Sequence, residues 1–501
     1  MKIMLISPKR DRWDSKRYEF WEFAFMTRVA GIGLRKYTGT PLALPIMASL
    51  IPEEHKLYVI DENVEDIPYD VEPDLVLLTF FTTSATAGYR IADRFRAQGS
   101  IVVIGGCHAA MTVDETLEHA DAVATAEAEA VLPQIIKDVE TGNLEKIYSV
   151  GNMNRPSMDN LPTPRWDLLK LDSYFYPSIQ TMRGCPFLCE FCTVRVHWGN
   201  KYRTKSIEKV VHDVRCLTKA MGRKGFMLIV DDDIAADRKR SKEMFRALAS
   251  EKIKWLSQGS IAMANDDEFL SLMINCGGTR IIMGFETISG DSLAEMKKNP
   301  ANDIKNYPKN ILKIQSQGVA LVGAFVFGFD HDKKDCFEET TNFIIENNIA
   351  LPQLFILTPF PGTALTKKLQ LEGRILHTDW KYYTGSVVNF IPKNMTCQEL
   401  QEGYYKAFQK VYSYKSIYLR MQGLWDSWDR TAKRRKEDLL REKIDILLMN
   451  KNFRAVAYSY DTCYFPDINE EAHYKRKLNK MLQSYLVENK VYEENAAMMA
   501  V

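Results

Sequence analysis

No stretch of this chain approaches the roughly 18 consecutive apolar residues that a membrane-crossing helix needs, so no transmembrane segment is expected. An excess of one charge is also missing. Sixty-six Lys and Arg stand against 65 Asp and Glu, a formal net charge of +1, which gives no electrostatic footprint for a nucleic-acid partner. Disulfide-type cysteine spacing is absent: nine cysteines are spread over 501 residues, unlike a small secreted scaffold. The opening Met1-Lys-Ile-Met-Leu-Ile-Ser7 lacks the charged and apolar blocks of a signal peptide and reads as a strand. A Gly-x-Gly-x-x-Gly fingerprint is missing, so no dinucleotide is argued. There is no low-complexity segment and no repeat beyond an alternation of strands and helices. These absences leave an ordinary soluble globular chain, 46% hydrophobic and 26% charged, long enough for two to four domains.

What is present starts with Arg183-Gly-Cys-Pro-Phe-Leu-Cys-Glu-Phe-Cys192. Cys185, Cys189 and Cys192 stand in a C-x3-C-x2-C spacing, which lets one short loop wrap three thiolates around a small inorganic cluster. Iron–sulfur clusters normally take four ligands, so three local thiolates leave one iron open. A zinc site or three free thiols are the alternatives, but zinc sites usually show two separated ligand pairs and no second pair stands nearby. Gly184 would permit close backbone approach to the cluster, and Pro186 stiffens the loop. Three cluster thiolates argue for a reducing, cytoplasmic setting. The other six cysteines mostly read as core or surface filling.

Along the chain, strands are expected at 2–7, 55–61, 74–80, 101–106 and 121–125, interleaved with helices near 41–51, 89–95 and 129–140, with an aromatic-rich loop up to about residue 40. This alternation implies a doubly wound, Rossmann-like parallel sheet over residues 1–145, with ligands beyond the carboxyl ends of its strands. Two loops lie there. Thr79-Phe-Phe-Thr-Thr-Ser-Ala-Thr86 is dense in hydroxyls, including Thr82 and Ser84, and Gly105-Gly-Cys-His108 lets a large ligand approach the backbone. Plain structural turns are the alternative. Residues 146–175 form a proline-bearing linker. From 176 to 371 strands fit 177–182, 226–231, 254–260, 279–286, 320–328 and 352–358. Helices fit 206–220, 239–249, 266–275, 303–317, 335–347 and 363–371. Six strand–helix units suit a partial (β/α)6 TIM-like barrel whose site lies at the carboxyl ends of the strands. The cysteine loop follows the first of them. Residues 372–501 read as mainly helical, with Arg430 to Lys443 as one charged helix presenting a solvated face.

The cysteine loop resembles the signature of the radical SAM superfamily. The resemblance implies a [4Fe-4S] cluster on Cys185, Cys189 and Cys192, with S-adenosylmethionine on the open iron. It further implies an external one-electron donor and cleavage to methionine and a 5′-deoxyadenosyl radical. It places S-adenosylmethionine contacts on Phe191, on Asp231 of the acidic run Asp231-Asp-Asp233, and on Gln258, Ser260, Glu286, Gly328 and Arg203. The acidic run alone reads equally as a metal site, and Glu286 equally as a structural hydrogen-bonding residue.

A strand-led domain carrying Gly-Gly-x-His and then Glu-x-Glu before such a core is similar to the cobalamin-binding domain of cobalamin-dependent radical SAM enzymes. That resemblance implies cobalamin contacts from Thr82, Ser84, Gly105, Gly106, Cys107, His108 and Glu127. It departs from pattern at Ala126-Glu-Ala-Glu129, where relatives often have glycines, and in lacking an Asp-x-His-x-x-Gly histidine for the cobalt. His108 on its own reads as a hydrogen-bonded histidine and Glu127 as a helix start. Arg165-Trp-Asp167 looks like the bridge these enzymes carry between domains. The implied chemistry is methylation of an unactivated carbon of a small-molecule substrate; substrates in this group include lipids, tetrapyrroles, peptides and antibiotic precursors, and the pattern looks most like members acting on polycyclic or isoprenoid lipids. A radical cyclase or rearrangement enzyme using cobalamin without methyl transfer is the alternative within the class. An iron–sulfur redox sensor or binding module is the alternative outside it.

Overall fold

The computed structural model describes residues 1–11, 37–150, 155–222, 225–297, 303–461 and 463–488. Most of the expected aromatic-rich loop and the end of the tail lie outside the described residues. The chain forms two compact units, cut at Asp232/Asp233, Leu357/Thr358 and Phe390/Ile391.

The first unit contains a six-stranded parallel sheet of β1 (Lys2–Ser7), β2 (Lys56–Asp61), β3 (Leu75–Thr79), β4 (Ile101–Gly105), β5 (Ala122–Ala124) and β6 (Ile147–Tyr148), in the spatial order β2-β1-β3-β4-β5-β6. The order reverses between β1 and β3, the switch point where doubly wound sheets bind ligands. The inner strands are short apolar runs buried on both faces, as central parallel strands must be. Leu75, Val76, Leu77 and Leu78 of β3 are at most 2% exposed. Register pairs Thr79 with Gly105, which sets the hydroxyl loop beside the glycine turn. Helix α1 (Ala43–Ala48) precedes β2, and α2 (Ala85–Ala97) lays Tyr89, Ile91, Ala92 and Phe95 on the sheet.

Beyond Gly106 the chain enters helices α3 (Cys107–Met111) and α4 (Val113–His119), where the sequence reading places no helix. Their lengths, five and seven residues, are too short to show a 3.6-residue period. Helix α5 (Ala128–Thr141) ends at Gly142, which takes the left-handed conformation (φ +70°) common after helix ends. The linker is partly structured. It supplies β6 to the sheet, and Trp166 is buried with its indole N–H on the Ser178 carbonyl at 3.3 Å.

The first unit also carries two of the barrel strands, β7 (Ser178–Ile179) and β8 (Phe226–Ile229), paired in parallel. Between them lie α6 (Thr193–Trp198) and α7 (Ile207–Ala220), the latter capped by the Ser206 hydroxyl. The second unit carries β9 (Lys254–Gln258), β10 (Gly278–Glu286), β11 (Ala320–Phe327) and β12 (Leu351–Ile356), each parallel to the next. Each expected barrel strand and helix is thus present within a few residues of its expected span. At three of the helix starts, Asp237, Asp266 and Thr363 each accept from the backbone N–H three residues further on.

Helices Cys397–Val411, Tyr414–Thr431, Lys436–Ala457 and Ile468–Glu488 complete the second unit. Here the expectation of one solvated charged helix from Arg430 to Lys443 is corrected. The chain breaks between Thr431 and Lys436, and Glu442 and Lys443 are each 3% exposed. Glu442 pairs with buried Arg280 at the start of β10, and Lys443 reaches Asp429 at 2.6 Å. Charge pattern alone could not separate a solvated stripe from one facing buried partners.

Candidate active site

The cysteine loop, Gly184 to Cys192, contains neither helix nor strand, and Cys185, Cys189 and Cys192 are half-buried with no disulfide among them. Its entrance is a small antiparallel ladder in which Arg183 pairs with Arg203. Gly184 stands at φ +95°, and a Cβ there would lie 2.3 Å from the Lys201 carbonyl oxygen. The close approach expected of Gly184 is therefore to the returning backbone. The far side of the loop is tied down where Leu365 N–H donates to the Glu190 carbonyl at 3.0 Å. Cys192 N–H turns back onto the Cys189 carbonyl at 3.2 Å. Among the described residues no three His, Cys, Asp or Glu side chains converge as the ligands of one metal ion do. A four-iron cluster needs wider spacing, because each thiolate binds its own iron. Three half-buried cysteines on one loop fit that requirement.

The acidic run at the end of β8 divides by task. Asp231 is fully buried and accepts from Thr181 N–H (2.7 Å), Thr181 Oγ1 (2.5 Å) and Met182 N–H (3.0 Å). It anchors the strand leading into the loop. Asp232 Oδ2 accepts from Gly184 N–H at 3.2 Å. In the second unit, Asp233 Oδ1 accepts from Ala235 and Ser260 N–H at 2.9 and 3.1 Å. Ser260 follows Gln258, whose side chain is exposed.

Glu286 ends β10 at φ +62°, and the register against β11 shifts between Gly284 and Glu286. A non-glycine residue in the left-handed region costs on the order of 1–3 kcal/mol and marks functional sites. Gly328 also has positive φ (+106°). Its N–H and that of Phe329 both donate to Asp332 Oδ2, at 2.8 and 3.1 Å, and Ser292 Oγ donates to Oδ1 at 3.0 Å. Burial raises the Asp332 carboxyl to about 6. Asp332 is absent from the residues singled out in the sequence, although the short carboxylate four residues beyond a strand-ending glycine is the signal of such a turn.

At the N-terminal sheet, Thr82, Ser84, Gly105, Gly106 and Cys107 lie together at the carboxyl ends of β3 and β4, with Phe81 largely exposed beside them. A Cβ on Gly106 would meet Thr79 Oγ1 at 2.9 Å and the Phe80 carbonyl at 3.1 Å, so this glycine lets β4 turn tightly against β3. His108 is fully buried. Its Nε2 meets the Tyr89 hydroxyl at 3.0 Å and its Nδ1 meets Thr82 Oγ1 at 3.2 Å. Both ring nitrogens are thus engaged within the fold, and burial lowers its pKa to about 4.

Glu127 is likewise engaged within the fold. Oε1 accepts from Arg155 (2.9 Å) and Arg203 (2.5 Å), and Oε2 accepts from Arg183 (2.6 Å) and Arg203 (3.0 Å). Four bonds fill the lone-pair sites of the carboxylate, and Arg203 is engaged here too. Burial would raise the Glu127 carboxyl, but the Arg203 hydrogen bond and the Arg183 charge outweigh it and hold it below the usual range.

Cys107 links the two halves of the first unit. Its thiol is pushed up to about 12, first by burial and then by the nearby Asp232 carboxylate and Cys192. A Cβ on Gly362 would touch Met111 of α3 at 3.1 Å and Val196 of α6 at 3.2 Å, so helix α3, the Gly362 turn and α6 pack at one place.

Residues 179–344 match the model of the radical SAM superfamily, and 363–489 match a domain of unknown function, DUF4070. The bacteriochlorophyllide d C-12(1)-methyltransferase of Chlorobaculum tepidum is 31% identical over 397 residues, covering 77% of this chain and 86% of that protein. The chain belongs to the radical SAM superfamily. Radical SAM enzymes use a [4Fe-4S] cluster and S-adenosylmethionine, and the matched span contains the loop of Cys185, Cys189 and Cys192. The fold is shared with OxsB, a cobalamin-dependent S-adenosylmethionine radical enzyme solved with aqua-cobalamin and S-adenosylmethionine bound. That match has a TM-score of 0.60 at 14% identity and covers 97% of this chain and 84% of that one. The radical SAM methyltransferase TsrM of Kitasatospora setae, solved with tryptophan and an S-adenosylmethionine analogue, gives a TM-score of 0.58 at 14% identity, covering 74% of this chain and 76% of that one. No helix among the described residues is long and apolar enough to cross a membrane.

Proposed function

We propose that this radical SAM enzyme is a cobalamin-dependent C-methyltransferase acting on an unactivated carbon of a polycyclic small molecule. A tetrapyrrole macrocycle is the first class to test. The observation that supports the reading is the packing of α3, which begins at Cys107, beside α6, which begins directly after Cys192, at the Gly362 turn. Methyl transfer to a carbon radical needs the methyl carrier and the radical source close together, and the packing of α3 beside α6 supports that arrangement. The similarity to a tetrapyrrole methyltransferase supports methyl transfer over cyclisation.

When bound, the cluster with S-adenosylmethionine supplies a deoxyadenosyl radical and the corrin supplies the methyl group. The chain's own residues orient and enclose. Cys185, Cys189 and Cys192 hold the cluster, and Phe191, between two of them, lines the cofactor. Glu286 and Ser260 offer acceptors to S-adenosylmethionine, Gln258 offers an acceptor and a donor, and Gly328, held by Asp332, offers a flat backbone surface for adenine. Thr82, Ser84, Gly105, Gly106, Cys107, His108 and Glu127 take the corrin side. No side chain is assigned as acid or base, and an external one-electron donor is required.

The test is anaerobic turnover of full-length protein, reconstituted with iron, sulfide and hydroxocobalamin, using methyl-labelled S-adenosylmethionine and tetrapyrrole acceptors. Label in a carbon-bound methyl of the product, with 5′-deoxyadenosine formed, supports the reading. Deoxyadenosine with a rearranged, unlabelled product replaces it with the cyclase. Cluster without any deoxyadenosine replaces it with a sensor.

A further inference from the structure

Behind the cysteine loop five charged side chains form one buried group. Arg183 Nη1 holds Glu127 Oε2 and its Nη2 holds Glu129 Oε1, both at 2.6 Å, while its Nε donates to Gln180 Oε1 at 2.8 Å. Arg203 and Arg155 take the rest of Glu127, and Arg155 also donates to the His197 carbonyl at 2.9 Å. Side-chain exposure is 3% for Arg183 and Glu127, 5% for Glu129, 17% for Arg203 and 19% for Arg155.

The arrangement has a physical puzzle in it. Arg183 and Arg203 are directly opposed across their two-stranded ladder, and like charges so placed repel. Glu127 sits between them and offsets the repulsion. Within the group, two carboxylates face three guanidiniums, which leaves one positive charge in excess. His197 does not add to it, because burial pushes its pKa down to about 4. The Trp198 ring lies 4.6 Å from the Arg183 guanidinium and covers it. Nearby, Lys205 is paired with Asp213 at 2.6 Å, with Lys209 on the other Asp213 oxygen at 3.7 Å. Asp231 and Asp232 lie beside the same loop and accept from its backbone; they stand outside the arginine–glutamate group, whose own excess is positive. A structural latch would be served by two carboxylates and two arginines, and the third arginine calls for another reason.

Arg183 stands two positions before Cys185, and His197 and Trp198 lie in the helix that begins directly after Cys192. The excess charge is therefore built onto both ends of the cysteine loop. We propose that this buried arginine–glutamate group sets the reduction potential of the loop's cluster, its excess positive charge favouring the reduced form. A four-iron cluster on three thiolates is anionic and gains one further negative charge when an external one-electron reductant reduces it. A fixed positive charge nearby stabilises the reduced state more than the oxidised one. Burial keeps salt from screening the effect. This rests on the reading of the loop as a cluster site and is independent of the corrin.

The test is an EPR-monitored redox titration of the reconstituted full-length protein without substrate. E129Q removes a negative charge and R155Q removes a positive one, and R155K keeps the charge but alters the hydrogen bonding. At fixed ambient potential, the ratio of reduced to oxidised cluster is expected to rise about tenfold in E129Q and fall about tenfold in R155Q. That is a shift of ~59 mV each way for one electron, the size given by a unit charge roughly 10 Å away at an effective dielectric near 20. R155K should stay close to wild type. Shifts of the same sign in E129Q and R155Q, or none in variants with full iron and sulfide content, would overturn the proposal and leave a latch. Should E129Q not fold, the opposed behaviour of R155Q and R155K decides the matter alone. A wild-type protein that takes up no iron and sulfide would overturn the cluster reading itself, a result distinct from an unshifted potential.

Discussion

Trp380 donates its indole N–H to Glu115 Oε1 at 2.6 Å, across 265 residues of chain. Its ring stands edge-on to His108, 5.1 Å away. The turn Trp380–Tyr382, which follows the barrel strands in sequence, is thereby seated on Thr82–Ser84 of the N-terminal sheet. W380F keeps the ring and loses one hydrogen bond to a charged acceptor, at a cost of about 1.5–3 kcal/mol. W380A also loses the ring's contact with His108 and should cost more than W380F. Thermal unfolding of the pair should show that order. Retention of added hydroxocobalamin should fall with it, and undiminished retention in W380A would mean that the turn has no part in the corrin site.

Cys185, Cys189 and Cys192 are each expected to be indispensable to the cluster. Alanine at any one should abolish the absorbance at roughly 400 nm of a thiolate-bound cluster, whereas C107A should keep it. Retention in all three loop variants would remove the cluster from the account.

His108 couples the fold to acid. Its pKa falls from 6.5 to about 4 on burial, so the native state holds the neutral ring. The stability it contributes is complete above about pH 6.5 and is lost as the pH falls toward 4, by up to about 3 kcal/mol. H108N should flatten that acid limb in denaturant unfolding curves taken between roughly pH 7 and 4.5.

Asp332 works in the opposite sense. Its carboxyl rises from 3.8 to about 6, so this group favours the native state fully below about pH 4. That contribution disappears as the pH climbs through 6, again by up to about 3 kcal/mol. D332N, which can still accept from Gly328 and Phe329 N–H, should be more stable than wild type at about pH 7 and no more stable at about pH 4. Equal stability near neutral pH would show that the carboxyl is not held in its neutral form.

Glu286 separates stability from binding. Glycine relieves the φ of +62° and should leave stability unchanged or raise it by up to about 1 kcal/mol. Loss of the carboxylate should weaken S-adenosylmethionine binding, measured by calorimetry on the reconstituted protein. Unaltered binding in E286G would take Glu286 out of the site.

The strand–helix alternation, the barrel strands and the cysteine loop could be read from the residues because each rests on local physics. Period-2 and period-3.6 apolar patterns, cap residues such as Asp266 and Thr363, and three thiols between Cys185 and Cys192 do not depend on distant partners. Individual roles could not be read this way. Asp231, Arg203, Glu127 and His108 all carry chemistry suited to a ligand. Folding instead brings Thr181 to the first, Glu127 to the second, three arginines to the third, and Tyr89 with Thr82 to the fourth. A carboxylate or imidazole in sequence is an unfilled set of hydrogen bonds. The sequence by itself determined which elements form and that three sulfurs share one loop. Only the tertiary structure decided which polar groups satisfy one another and which remain for a ligand, because burial demands partners and those partners lie far away along the chain.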